Sequence, residues 1–277
     1  MTRSSFALPL AIAASLLTCA SPRAEPAAPP SAANRVELRI EVYAFAGLHV
    51  LTNRTTIDAA AGRYRIMTEI DTRGIVSLFI DLNSRSETHG QIAGDAVVPK
   101  AYDSDVRRNG VDRRYRIDYA AAGPMASEWE PPATAWQSPI PPEKLAGTVD
   151  QLTAYFIVER QLRDRGSCNI VVPVFDGHGR YNLRFRDAKP YDPATRGARY
   201  YPGPTHVCDV NRDDIAGFRG NQDPAEATYQ KGKLWYAQLG PAGQMVPVQI
   251  DYDTEFGVVT GYLAELRGPE GTRRFVH

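Results

Sequence analysis

Cysteine is scarce in this chain: three in 277 residues, far apart at positions 19, 168 and 208. No Cys-x-x-Cys pair and no tight histidine spacing occurs, so the pattern of a structural metal site is missing. There is no excess of charge of either sign. Lys plus Arg and Asp plus Glu each number 32, which excludes nucleic acid or an anionic membrane as partners drawn by net charge. Long hydrophobic runs are lacking as well. The run Phe6 to Leu17 is about 12 residues, against the ~20 that a membrane-spanning helix requires. Neither a Gly-x-Ser-x-Gly elbow nor a His-Glu-x-x-His helix appears, which removes two common hydrolase signatures.

That short run, with Arg3 before it and small residues to Ala20 after it, has the layout of a secretory signal peptide. Residues 1–20 therefore predict export, with the periplasm as the expected location. Cys19 raises lipid anchoring as an alternative. A lipid-acceptor cysteine normally follows Gly, Ala or Ser, whereas Thr18 precedes this one, so cleavage after Ala20 and a soluble product is the favoured reading. Loss of Arg3 with the signal leaves a net charge of about −1. Residues 21–34 form a Pro/Ala tether without a hydrophobic pattern. Residues 35–277 read as a single β-rich domain.

The alternation there is clear from the start. Val36, Leu38, Ile40 and Val42 share one face against Glu37, Arg39 and Glu41, as in a half-buried strand. Further strands are expected at 48–53 after Gly47, 63–70 after an Ala-Ala-Gly turn, 75–82, 84–91 and 115–119. Five prolines between 131 and 142 exclude helix and central strand. One helix is predicted over 151–164. Asp150 is its N-cap, Leu152, Tyr155, Phe156 and Leu162 form its apolar stripe, and Gly166 ends it. Strands resume at 169–175, and an Asp176-Gly177 turn leads to 180–186, with Tyr181, Leu183 and Phe185 on one face. Others follow at 199–201, 206–211, 234–239, 246–253 and 258–266. A dozen to fifteen strands and one helix predict a mainly β fold: a single open barrel-like or spiral antiparallel sheet with one packed α-helix.

Two cysteines remain after the signal, and in an exported chain Cys168 and Cys208 are expected to pair, two free thiols being the alternative. The order Val149-Asp150-Gln151-Leu152, Cys168, then Val174-Phe175-Asp176-Gly177 with Arg180-Tyr181, resembles an uncharacterised bacterial envelope family, domain of unknown function 3108. In that family an Asp-Pro-led helix precedes a cysteine, a Phe-Asp-Gly-Arg-Arg-Arg-Tyr hairpin and a second cysteine. Thr72-Arg73-Gly74 and His89-Gly90 before Pro99-Lys100-Ala101-Tyr102 are similar too, so the likeness spans about residues 36–267. Gln151 stands where proline is common. His178-Gly179 replaces two arginines, which weakens any anion site at that hairpin. The resemblance implies an exported β-rich domain and no established activity. By looser analogy such β-spirals are similar to half-barrels that carry lipoproteins or guard envelope integrity.

Candidate sites each have a plainer reading. Asp176 and His178 could form an acid–base pair, but Asp-Gly is what a tight hairpin demands, leaving the histidine in solvent. His49, His89, His206 and His277 have no local partner pattern. Asp251, Asp253 and Glu255 lie at period two and could hold Ca²⁺, yet they miss the calcium-loop template and fit a solvated strand face. Arg107, Arg108, Arg113, Arg114 and Arg116 flank an Asn109-Gly110 turn, either as charged gatekeepers or as an anionic headgroup or glycan site. Asn53-Arg54-Thr55 matches a glycosylation sequon, a pattern common by chance. Tyr181, Tyr200, Tyr201, Tyr229 and Tyr236 line a groove or serve as ordinary β-formers. No catalytic residue, cofactor or metal is assigned. The expectation is a non-enzymatic envelope protein binding a lipid, glycan or envelope protein in an apolar concavity, with an envelope-polymer hydrolase or a structural scaffold as alternatives.

Overall fold

The computed structural model describes residues 34–45, 47–72, 81–120, 123–130, 140–189, 201–217, 231–254 and 257–275, with the side chains of 126–130 left aside. The readings on residues 1–33, on the strand at 75–80 and on prolines 131–139 lie outside the described residues, as do Arg199, Tyr200, Tyr229, Glu255 and His277.

Among the described residues, fourteen strands form one nearly closed, barrel-shaped antiparallel sheet. The first meander runs β1 Arg35–Ala44, β2 Leu48–Ala60, β3 Arg63–Thr72, β4 Leu82–Ala93, β5 Ala96–Arg108, β6 Val111–Ala120 and β7 Gly123–Glu130. Two helices follow, α1 Pro142–Leu145 and α2 Gln151–Arg165. The second meander is β8 Ile170–Phe175, β9 Arg180–Asp187, β10 His206–Ala216, β11 Lys231–Gln238, β12 Met245–Thr254 and β13 Gly257–Gly268, with β14 Gly271–Arg274 paired to β13. The meanders join where β1 pairs β13, with Leu38 opposite Leu266. The strand order is therefore β7 to β1, then β13 back to β8.

The alternation read from the sequence places the core. Val36, Leu38 and Ile40 of β1 are buried, as are Tyr181, Leu183 and Phe185 of β9. Turn chemistry also holds locally: Asn109 (φ 50°) and Gly110 (φ 78°) take the left-handed pair that an Asn-Gly hairpin requires. Gly90 answers a different demand. At the register shift between His89 and Gly90, a Cβ would lie 2.2 Å from Val98 O and 2.7 Å from Tyr64 Cε1, so no larger residue fits.

The two end strands, β7 and β8, are not paired to each other. The segment leading into α2 covers the β8 edge: Val149 N donates to Pro173 O (3.0 Å), and Phe175 N donates to Val149 O (2.9 Å). Side chains close the remaining gap, with Tyr102, Ile117 and Phe175 buried together and Ile140, Leu145 and Leu152 packed against them. The proline-rich segment departs from expectation at its end, where Pro142 opens the one-turn α1 from the first helical position, the one place a missing N–H costs nothing. Tyr201 is not in a strand.

Helix α2 enters the barrel and packs against β8, β12, β4 and β5. Asp150 caps it, Oδ1 accepting from Thr153 N (2.8 Å), and Gly166 ends it at φ 66° with its N–H on Leu162 O (2.9 Å). Its buried residues, Thr153, Ala154, Phe156, Val158, Glu159 and Leu162, lie on more than one face because the helix has sheet on several sides. The expected stripe therefore divides. Phe156 and Leu162 are in the core, while Leu152 and Tyr155 are half-buried at the edge of an internal cavity.

Candidate functional site: an internal cavity beside helix α2

Between α2 and the inner faces of β1–β6, β11 and β12 lies a cavity of about 450 Å³. The period-two rule selects its lining. Leu38, Ile40, Ile57, Ile66 and Ile70 make an aliphatic wall, continued by Leu234, Pro247 and Ile250. Interleaved with them on β2 and β3, and continuing onto β4 and β5, are small polar groups: Asn53, Thr55, Thr68, Ser84, Ser86 and Ser104. Those groups bond largely to one another. Thr55 Oγ1 donates to Asn53 Oδ1 (2.9 Å) and meets Thr68 Oγ1 (3.1 Å), and Ser86 and Ser104 hydroxyls are 3.0 Å apart. Mutual pairing lets the wall sit against apolar matter at little cost. Tyr155 and Tyr252 join helix to sheet through their hydroxyls at 2.7 Å, and Phe156 stacks on Tyr64 at 5.2 Å.

Among the described residues that line it, Glu159 alone has a carboxyl or basic side chain. It is only 6% exposed, and its Oε2 is buried without a hydrogen-bond partner. Burial alone pushes its carboxyl up to about 8, so it is mostly protonated at neutral pH. A deeper node holds the start of α2. Asp150 Oδ2 accepts from Thr88 Oγ1 (2.9 Å) and Thr153 Oγ1 (2.6 Å), and Tyr64 OH meets Thr153 Oγ1 at 2.8 Å. Burial raises the Asp150 carboxyl, against the pull of these hydrogen bonds.

Cys168 and Cys208 are joined as a disulfide with Cα atoms 6.2 Å apart. Around it sits a grouping that the sequence concealed. Asp187 Oδ1 accepts from Cys168 N (2.8 Å) and contacts His206 Nε2 (2.7 Å), while Oδ2 accepts from Ser167 Oγ (2.7 Å) and Asn169 Nδ2 (2.8 Å). Burial raises the Asp187 carboxyl, but these bonds outweigh it and the net shift is downward. Serine, histidine and aspartate thus meet, in the wrong order for nucleophilic catalysis. The carboxylate stands between the other two, whereas a triad needs the imidazole on the hydroxyl. Potential metal-ligand atoms of Cys168, Cys208 and His206 also lie within 4.8 Å of one another, but sulfurs bonded together offer no thiolate.

The remaining candidates resolve into structure. Asp176 Oδ1 accepts from His178 N (2.9 Å) and Gly179 N (2.8 Å), the hydrogen bonds of a turn. His178 is not in solvent. It is half-buried, edge-on to Tyr115 at 5.2 Å, because the hairpin faces β6 across the gap between end strands. His49 Nε2 contacts Glu41 Oε2 at 2.6 Å, and His89 is half-buried on β4. Asp251 is half-buried and Asp253 exposed on β12, with Gln249 Nε2 donating to Asp251 at 3.2 Å. Three of the five arginines flanking the β5–β6 turn pair with carboxylates beside them: Arg114 with Asp105 (2.9 Å), Arg116 with Asp103 and Asp118, and Arg107 with Asp112 (4.0 Å). Asn53 of the sequon lines the cavity from mid-strand, not a surface loop. Tyr181 is buried under the Arg212 guanidinium, 3.8 Å from its ring centroid, and Tyr201 packs on Phe275. Of the five tyrosines singled out for a groove, Tyr236 lines the cavity, beside Tyr102, Tyr115, Tyr155 and Tyr252, which were not among those five.

Among the described residues no helix is long and apolar enough to cross a membrane. No curated protein matches the chain. Among solved structures it is similar to a β-barrel-like protein of domain of unknown function DUF1849 from Brucella abortus, at 10% identity and a TM-score of 0.47, covering 84% of this chain and 96% of that one. The model of the protein of unknown function family DUF3108 matches residues 39–264, spanning the helix, both cysteines and the Phe175-Asp176-Gly177 hairpin, and the chain belongs to that family.

Proposed function

We propose that this is an exported, periplasmic, non-enzymatic binding protein that holds the apolar chain of an amphiphile in the cavity beside α2. The observation that carries this reading is the cavity itself. Its volume of about 450 Å³ lies within the roughly 300–1,000 Å³ typical of small-molecule sites. Its walls are aliphatic and aromatic, and its polar groups are mostly paired with each other. A catalyst would need several ionisable groups converging there, and among the described lining residues Glu159 alone has a carboxyl or basic side chain. Export is supported by the layout of residues 1–20 and by the Cys168–Cys208 disulfide, which persists in oxidising compartments.

Displacement of a fluorescent fatty-acid probe by common envelope lipids tests the reading. Saturable binding is expected. It should be weakened by Ile70→Trp, which narrows the cavity from a half-buried lining position, while thermal unfolding stays near that of wild type. Absence of saturable binding across those lipids refutes the carrier and leaves a scaffold. Unchanged binding by a folded Ile70→Trp protein would place the ligand elsewhere.

A further inference from the structure

A second, smaller cavity of about 250 Å³ adjoins the first, and the two share Phe156 and Glu159 as lining residues. These two are three apart on α2 and so form a common threshold on one helix face. The smaller cavity differs in chemistry. Arg160, Arg163 and Gln244 line it, and three polar atoms around it are buried without a hydrogen-bond partner: Glu159 Oε2, Arg160 Nε and Gln244 Nε2. Arg160 spends one donor on Gly94 O (3.1 Å), and Arg163 is paired with Asp164. Orphaned polar atoms are rare in folded proteins, and three on residues that line one cavity point to a ligand that satisfies them once these side chains turn toward it.

Resting on the binding function proposed above, we propose that this smaller cavity is the headgroup subsite and selects a single-chain amphiphile with a small oxyanion head, a carboxylate being the simplest. The chain crosses the Phe156–Glu159 threshold into the larger cavity. The head accepts hydrogen bonds from Arg160, from Gln244 and from the protonated carboxyl of Glu159. A head placed deeper would find no cation among the described residues, because none of those lining the larger cavity is Lys, Arg or His.

Glu159 makes the selection depend on pH. Its electrostatic surroundings are simple. Arg160 and Arg163 come from its own helix, Tyr102 from β5 and Tyr252 from β12. β8 has no ionisable side chain, and on β4 the lining residues are Ser84, Ser86 and Ile92. When Glu159 loses its proton it turns from donor to like charge, and the oxyanion is repelled.

The test uses the full exported chain and three probes of equal length: a twelve-carbon carboxylate, alcohol and amine. Titration calorimetry is run from about pH 7 to about pH 9.5. The carboxylate should bind tightest at the lower pH. If only the protonated site, titrating near 8, accepts it, its affinity should fall by up to roughly 30-fold across that range. The alcohol should change little, and the amine should gain. Glu159→Gln should keep carboxylate binding while flattening its pH profile, and Arg160→Gln should weaken the carboxylate but not the alcohol. Equal binding of carboxylate and alcohol at the lower pH, a flat wild-type profile, or preference for the amine overturns the subsite while leaving the carrier standing. Failure of all three probes to bind overturns both.

Discussion

Glu159→Gln should make this protein's stability less sensitive to pH, and the size of the effect follows from burial. The carboxyl titrates near 8 in the fold against an ordinary 4.5, and its 6% exposure leaves little water to screen it. The folded chain therefore holds this proton where the unfolded chain has released it. Below about pH 4 both states are protonated and the site contributes nothing to pH dependence. Between about 4.5 and 8 the folded state falls behind by ~1.4 kcal/mol per pH unit, reaching about 3 kcal/mol at neutral pH and levelling off above 8. Glutamine has a similar shape and no charge to release, so any packing penalty it brings is the same at every pH. Thermal unfolding of both proteins from pH 4 to 9 reads the difference. The gap in favour of the variant should widen by about 3 kcal/mol on going from pH 4 to 7, roughly 6–12 °C in Tm for a chain of this size. Asp150, whose carboxyl is also raised by burial, acts equally in both proteins and cancels. Parallel curves across the range would refute the claim that Glu159 is buried and neutral.

Two further outcomes test the frame around the cavity. Asp150→Ala removes the N-cap of α2 and strips the Thr88 and Thr153 hydroxyls of their acceptor, so urea unfolding should show a loss of about 2–4 kcal/mol, and a loss below about 1 would contradict the buried network. Cys168→Ser opens a link between residues 40 apart in sequence and should cost about 2–4 kcal/mol, read as a lower urea midpoint than wild type in the absence of reductant, with the two proteins converging when reductant is added.

Much of the fold was legible because most strands obey the simplest pattern. β1 and β9 alternate apolar with polar, and α2 carries both of its end signals in sequence, Asp150 and Gly166. What escaped was the cavity wall. β5, Ala96–Arg108, turns Tyr102, Ser104 and Val106 inward with Lys100, Asp103 and Asp105 on the other face, and contains Pro99. On β4 the inward residues are Ser84, Ser86 and Thr88. A strand whose inner face meets a cavity need not be apolar, because its hydroxyls can pair across to the next strand, as Ser86 and Ser104 do. In sequence β5 therefore looks polar on both faces, like a loop, whereas β4 is expected as a strand over 84–91 and only its part in the cavity wall is hidden. Glu159 was hidden for a related reason. Its neighbours Arg160 and Gln161 suggest the solvated side of an amphipathic helix, and that inference assumes a helix lying on the outside of a sheet.

The position of α2 inside the barrel follows from how the sheet ends. Two antiparallel meanders joined at β1 and β13 leave β7 and β8 as free edges, which are hazards for aggregation unless covered. The chain passes from one edge to the other between β7 and β8, and that passage covers β8 with Val149 before becoming α2. Pro173 fits this arrangement, since an edge strand can spare an N–H while its carbonyl accepts from Val149. Asp150 is the next residue after the covering bridge, and its bonds to Thr88 and Thr153 fix where the helix starts and how it is turned. Phe156 and Glu159 then fall about 1.7 and about 2.5 turns beyond Asp150 along a rigid helix, at the boundary of the two cavities. One buried aspartate thus links closure of the sheet to the placement of the carboxyl that the proposed ligand would meet.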